Sequence, residues 1–183
     1  VYLSPWDKHE QSYGDSPKYN EFFRNQLTEL LTNYGQISEV WFDGACGEGP
    51  NGKRQVYDWP SYYALIRKLQ PGAVISIKGP DVRWCGNEAG KTRESEWSVI
   101  PLNVHPEKYE WPDLTQDDLG SQEKIKDASY LIWYPAQTNT SIRPGWFYHS
   151  SQDNQVKSLK HLLEIYFRSV GGNTQFLLNI PPD

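Results

Sequence analysis

The chain has 183 residues, a formal net charge of −5 and 14% aromatic residues, eight of them Trp. That length supports one substantial core, while the mild, dispersed acidity argues against nucleic acid and anionic membranes as partners. No apolar stretch approaches the ~20 residues that span a bilayer, and with a mean hydropathy of −0.74 the aromatic residues suit a wet, aromatic-lined cleft.

In chain order, Val1-Tyr2-Leu3-Ser4 is a short apolar start closed by Pro5, followed by Trp6, Asp7, His9 and Glu10 in a polar loop. No leader opens the chain and it holds no Met, so residue 1 reads as an internal cut or a processed end. A strand end that carries Trp, Asp and His is an expected edge of a site; the plain alternative is a solvated loop. Ser16-Pro17 opens the clearest helix, with Phe22, Phe23, Leu27, Leu30, Leu31 and Tyr34 at helical spacing up to Gly35. Residues 40–43 read as a buried strand, 44–52 as a Gly-rich loop, and 58–69 as a second amphipathic helix stopped by Pro71. Ala73-Val74-Ile75-Ser76-Ile77 is a β-branched run suited to a parallel strand. Strand, helix and strand make a βαβ unit whose two strands lie side by side and point the same way.

Beyond it, 81–97 is a loop rich in acids, aromatics and Gly, and 103–126 reads as a long loop with a short helix at most. Residues 129–134 form another strand ending at Pro135. A third helix covers about 154–169, stops at Gly171-Gly172 and delivers a last strand at 175–180. Cys46 and Cys85 lack zinc-ligand spacing and read as free thiols, with pairing as the alternative. Alternating helices and strands predict an α/β fold, most often a (β/α)8-like barrel. With about five strands the chain falls short of closure and reads as the later part of one barrel domain over 1–183, lacking the first strands. No Gly-rich phosphate loop is present, so neither a nucleotide nor another cofactor is expected, and no metal.

The chemistry centres on Trp41-Phe42-Asp43-Gly44-Ala45. Residues two apart in a strand share a face, so Trp41 and Asp43 point the same way. An ionised carboxylate is costly to bury, so Asp43 must be paired, capping the next turn, or reactive. A reactive role needs a second acid, and Glu88, Glu94 and Glu96 follow the next strand on the same rim.

Here the sequence resembles a known family. Trp41-Phe42-Asp43-Gly44-Ala45, Leu3-Ser4-Pro5-Trp6-Asp7, Arg83-Trp84-Cys85-Gly86-Asn87-Glu88, Ser141-Ile142-Arg143-Pro144-Gly145-Trp146 and Asn179-Ile180-Pro181-Pro182 occur in the order seen in the α-L-fucosidases of glycoside hydrolase family 29. The resemblance implies a retaining exo-glycosidase with Asp43 as nucleophile. It matches the subgroup that uses the Glu of Arg-Trp-x-Gly-Asn-Glu as acid/base, here Glu88, on α-1,3 and α-1,4 fucosyl linkages of branched oligosaccharides. Trp84 is then expected to desolvate Glu88, and Gly86 and Gly90 to let its loop close. Trp41, Trp6, His9, Arg83 and Trp146 are the expected sugar contacts, each with a purely structural alternative. Fucosylated oligosaccharides or glycoconjugates are the implied partners, and secretion, periplasmic export or a lysosome-like compartment the implied location. A retaining glycosidase for another sugar, and an inactive carbohydrate-binding protein, remain open on the same residues. Asn139-Thr140-Ser141 matches an N-glycosylation sequon.

Overall fold

The structure, a computed structural model, describes residues 1–182. The chain divides into two compact units, Val1–Asp81 and one beginning at Val82.

In the first unit, helix α1 (Ser16–Asn33) carries Pro17 in its first turn, where the missing N–H costs nothing. It buries Tyr19, Phe23, Leu27 and Leu31, one residue every four along a single face. Strand β1 (Glu39–Phe42) follows, then helix α2 (Trp59–Leu69) and strand β2 (Val74–Ile77). Asp58 caps α2, its side chain accepting from the Ser61 N–H at 3.3 Å. Arg24 of α1 reaches both Asp58 (3.3 Å) and the Ser61 hydroxyl (3.1 Å), tying the two helices. β1 and β2 pair in parallel, with Trp41 opposite Ser76 and Phe42 opposite Ile77, as the βαβ reading requires. Val40 and Phe42 join Tyr13, Phe23, Leu27, Tyr62, Ile66 and Ile75 in one core. Truncating a ring such as Phe23 to Ala costs about 3–5 kcal/mol. Strand alternation leaves Glu39, Trp41 and Asp43 on the other face, all half-buried.

β2 ends in a strained turn. Ile77 is buried with φ +72°, a region that β-branched residues avoid, at a cost of about 1–3 kcal/mol. The turn is clamped from several sides. The Tyr63 hydroxyl donates to the Lys78 carbonyl at 2.8 Å, and the Lys78 N–H to Phe42 O at 3.2 Å. The Asp81 carboxylate accepts from Ile75 N at 2.7 Å and takes Arg67 on both oxygens at 2.6 Å.

In the second unit, strands β3 (Arg83–Trp84), β6 (Ala136–Ser141) and β7 (Thr174–Asn179) form a parallel sheet in the order β3-β6-β7. Strands β4 (Val99–Leu102) and β5 (Tyr130–Trp133) pair antiparallel, and the short helix α3 (Gln122–Ile125) lies between them in sequence. Ile100, Leu102, Leu119 and Tyr134 form the apolar cluster of this unit. Helix α4 (Leu159–Gly171) is capped by Ser158, which accepts from His161 N at 3.2 Å. β5 stops before Pro135 as expected, and β6, which was not expected, begins directly after it. Two expectations are corrected here: the 81–97 loop contains the short strand β3, and a 3-10 turn (Ser150–Gln155) precedes α4 where helix was expected from 154. No helix is long and apolar enough to cross a membrane among the described residues.

Candidate active site

One group of candidate residues sits at the C-terminal end of β1, in the first unit. Asp43 follows the strand directly, and both of its oxygens are held: Oδ1 accepts from the Ala45 N–H and Oδ2 from the Tyr2 hydroxyl, each at 2.9 Å. Tyr2 makes a parallel bridge to Trp41 and lays its ring against that indole, centroids 5.4 Å apart. Burial, with the carboxylate of Asp43 beside it, pushes the Tyr2 hydroxyl above its ordinary value, so it stays a proton donor. The loop after Asp43 is pinned by a relay of donors. Gly47 N–H donates to Tyr13 Oη (3.4 Å), Tyr13 and Tyr57 share a 2.8 Å hydrogen bond, and Tyr57 donates to Ala45 O (3.2 Å). Burial raises Tyr57 far above the usual tyrosine range, keeping that relay protonated. Trp6 lies over the same loop, so close to Gly47 that a Cβ there would come 3.1 Å from the indole. Lys8 sits 5.1 Å from the Trp6 ring centroid. Trp6 and His9 are both exposed, and the His9 N–H is turned into the Asp7 carboxylate at 2.9 Å.

A separate group lies in the second unit, on the loop after β3. Glu88 is exposed at its tip, between Gly86 (φ +89°) and Gly90 (φ +67°). Trp84 turns its indole N–H into the sheet, donating to Asn139 Oδ1 at 3.0 Å, and Glu88 is left exposed within this unit. The end of the loop is seated on the sheet and α4. Gly90 donates to Asn139 O (3.1 Å) and accepts from the Ser169 hydroxyl (3.3 Å), and a Cβ on it would meet Ile165 at 2.4 Å.

Arg83 and Glu96 are reassigned by their surroundings. Arg83 is 1% exposed, so it presents no surface to a sugar within this unit. Its Nε donates to Tyr134 O at 3.0 Å, and its Nη2 to Trp97 O (2.6 Å) and Glu96 (2.9 Å). Glu96 is 5% exposed and also accepts from Arg93 Nη1 (2.9 Å), Arg93 N (3.0 Å) and the Cys85 thiol (2.9 Å). Desolvation opposes its ionisation, but the donors on it outweigh that and hold its carboxyl below the usual range. A carboxylate this committed has no proton to give, which removes Glu96 as a rival acid; Glu94 stays exposed. Burial, with Glu96 beside it, pushes the Cys85 thiol up to about 12, and both cysteines are free. Trp146 is half-buried, its carbonyl accepting from Asn179 Nδ2 at 3.0 Å. The sequon residue Asn139 is 4% exposed inside β6. No group of three or more His, Cys, Asp or Glu is placed to hold a metal among the described residues.

Comparison with known proteins decides the family. The alpha-L-fucosidase family model matches residues 2–183. The chain belongs to the alpha-L-fucosidase family. It is 46% identical over its whole length to alpha-L-fucosidase 1 of Arabidopsis thaliana, of which it spans 34%. A solved structure from Bacteroides ovatus ATCC 8483, of a protein named only provisionally as an alpha-L-fucosidase, superposes with a TM-score of 0.86 at 55% identity. It covers all of this chain and 33% of that one. A Ruminococcus gnavus glycoside hydrolase 29 fucosidase solved in complex with fucose gives a TM-score of 0.76 at 32% identity, over all of this chain and 40% of that one. The chain therefore spans about a third of the length of the curated relatives it matches.

In this alpha-L-fucosidase-family chain, sequence reasoning missed Tyr2, the Tyr13–Tyr57 pair and the structural use of Arg83. Tyr2 is 41 positions from Asp43, and no spacing rule joins them. Arg83 carried a signal in hindsight: it opens a strand and is followed within fifteen residues by Glu96, the acid that neutralises it.

Proposed function

We propose that the protein hydrolyses terminal α-L-fucose from branched oligosaccharides, at α-1,3 and α-1,4 linkages, by double displacement. The observation that carries this reading is the Asp43 carboxylate, fixed by Ala45 and Tyr2 at the end of a parallel strand. Two hydrogen bonds aim one rigid carboxylate and leave it lone pairs for attack on an anomeric carbon. Glu88 is the acid/base. It protonates the departing oxygen as Asp43 bonds to the sugar, then takes the proton of a water that releases fucose and restores Asp43. That pairing requires the two carboxyl groups about 5 Å apart. Trp41, Trp6, His9 and Trp146 serve as sugar contacts, Trp41 braced from behind by Tyr2. β1 and β2 are read as neighbours in a (β/α)8-type barrel, whose reactive residues gather at strand C-termini. The fucose held by the Ruminococcus gnavus relative supports fucose as the sugar.

The test uses the full-length protein with an aryl α-L-fucoside and a branched α-1,3/1,4-fucosylated oligosaccharide. Asp43→Ala with azide yields β-fucosyl azide, and Glu88→Ala with azide yields the α-anomer, because azide attacks opposite faces in the two variants. An active Glu88→Ala on the oligosaccharide moves the acid to Glu94. No turnover by the intact protein leaves a carbohydrate-binding role.

A further inference from the structure

We infer that Asn87 is the positioning residue for Glu88, holding the acid/base loop as a rigid hairpin; this rests on the reading of Glu88 above. One amide side chain staples both ends of the tip. Asn87 Oδ1 accepts from the Ala89 N–H at 3.1 Å and the Lys91 N–H at 3.2 Å, and Nδ2 donates to Lys91 O at 2.8 Å. Glu88 lies between Asn87 itself and Ala89, the first residue its amide holds, so the Asn87 side chain closes the turn that carries Glu88. The base of the loop is fixed by other groups: Cys85 N–H donates to Gln137 O at 2.9 Å, and Gly90 is seated on Asn139, Ser169 and Ile165. Two glycines in left-handed conformation bend the chain into and out of the tip. An exposed carboxyl on a mobile loop would spread over many orientations. The Asn87 staple confines the tip, which lies between the segments seated on the sheet and on α4.

A positioning role makes a specific kinetic forecast. General acid help matters for a sugar leaving group and little for an activated aryl one, so misplacing Glu88 separates the two substrates. In the full-length protein, Asn87→Ala lowers kcat/KM on the oligosaccharide about 100-fold and leaves kcat/KM on a dinitrophenyl fucoside within about twofold. Azide raises kcat of the variant on the aryl substrate, as it does for Glu88→Ala. Asn87→Asp, which keeps the oxygen that accepts from Ala89 and Lys91 but turns a charged oxygen toward the Lys91 carbonyl in place of the donor, falls between wild type and Asn87→Ala on the oligosaccharide. It carries the test if the alanine variant does not fold. Equal losses on both substrates, or no loss on the oligosaccharide, overturn the inference. Glu88→Ala measured beside them separates the two levels: if it shows no leaving-group dependence, the assignment of Glu88 fails; if it does and Asn87→Ala does not, only the inference fails.

Discussion

Replacing Glu96 with Ala in the full-length protein should cost stability without touching the chemistry. The carboxylate serves four donors, at 2.9 Å from Arg83 Nη2, 2.9 Å from Arg93 Nη1, 3.0 Å from Arg93 N and 2.9 Å from the Cys85 thiol. Its loss strands the two guanidinium groups unequally. Arg93 has 12% of its side chain exposed and still reaches the carbonyls of Leu114 and Gln116. Arg83, at 1%, keeps two carbonyls but no counter-charge and no path to water. Removing one partner of a buried ion pair costs about 3–5 kcal/mol, and the burial of Arg83 places this case near the middle, about 4 kcal/mol. Against a domain stability of about 5–15 kcal/mol that is a large share. Urea unfolding followed by Trp fluorescence reads it directly, and Arg83→Met with Glu96→Leu recovers more than half by replacing the pair with apolar volume. A loss below about 1 kcal/mol would refute the argument. So would a stable Glu96→Ala enzyme that fails on the oligosaccharide and is rescued by azide, since Glu96 would then be the acid.

Two further outcomes follow from the same geometry. Tyr2→Phe removes a hydrogen bond to an acid oxygen, an interaction of about 1.5–3 kcal/mol with charged groups. It should lower kcat/KM on both aryl and oligosaccharide substrates by about tenfold or more, and equal activity in the two proteins would remove Tyr2 from the site. The Glu96–Cys85 contact gives stability two pH limits. Glu96, held below its ordinary value when folded, contributes stability that is present above the unfolded carboxyl range and lost as pH falls through its folded value. Cys85, raised when folded, contributes stability present below about pH 8.5 and lost as pH climbs toward about 12. Iodoacetamide at pH 8.5 should therefore spare Cys85 in the native protein and label it after unfolding; rapid native labelling would contradict its burial.

The helices and the β1–α2–β2 unit were legible because their signals are local. Pro17, the helical spacing of Phe23, Leu27 and Leu31, and the β-branched run at 73–77 each fix one element without reference to the rest, although Tyr19 joined the buried face unannounced and Tyr34 lies outside it. β6 was not legible. Its sequence, Ala-Gln-Thr-Asn-Thr-Ser, has no apolar alternation, yet all six positions are buried. The polar groups are satisfied across the sheet, as where Thr138 meets the Thr174 hydroxyl at 3.2 Å and Asn139 takes the Trp84 indole, and such pairing depends on strands 36 and 55 residues away. β4 was hidden by Pro101, tolerated because β4 has a single partner, β5. The site divides the same way. Asp43 announced itself as a charge where an apolar strand stops, whereas the fate of Arg83 and Glu96 depended on how deeply the fold buries them.

The burial of Asn139 bears on biosynthesis. Oligosaccharide is transferred to an asparagine amide nitrogen while the acceptor segment is still extended, before β6 is enclosed between β3 and β7. A glycan attached at that moment is far too bulky for a position 4% exposed in the finished sheet, and its stem would displace the Trp84 indole. In a cell that glycosylates, the Asn139 sequon thus sets up a race between the transferase and the closing of the sheet, and chains that lose it cannot complete the floor beneath the Glu88 loop.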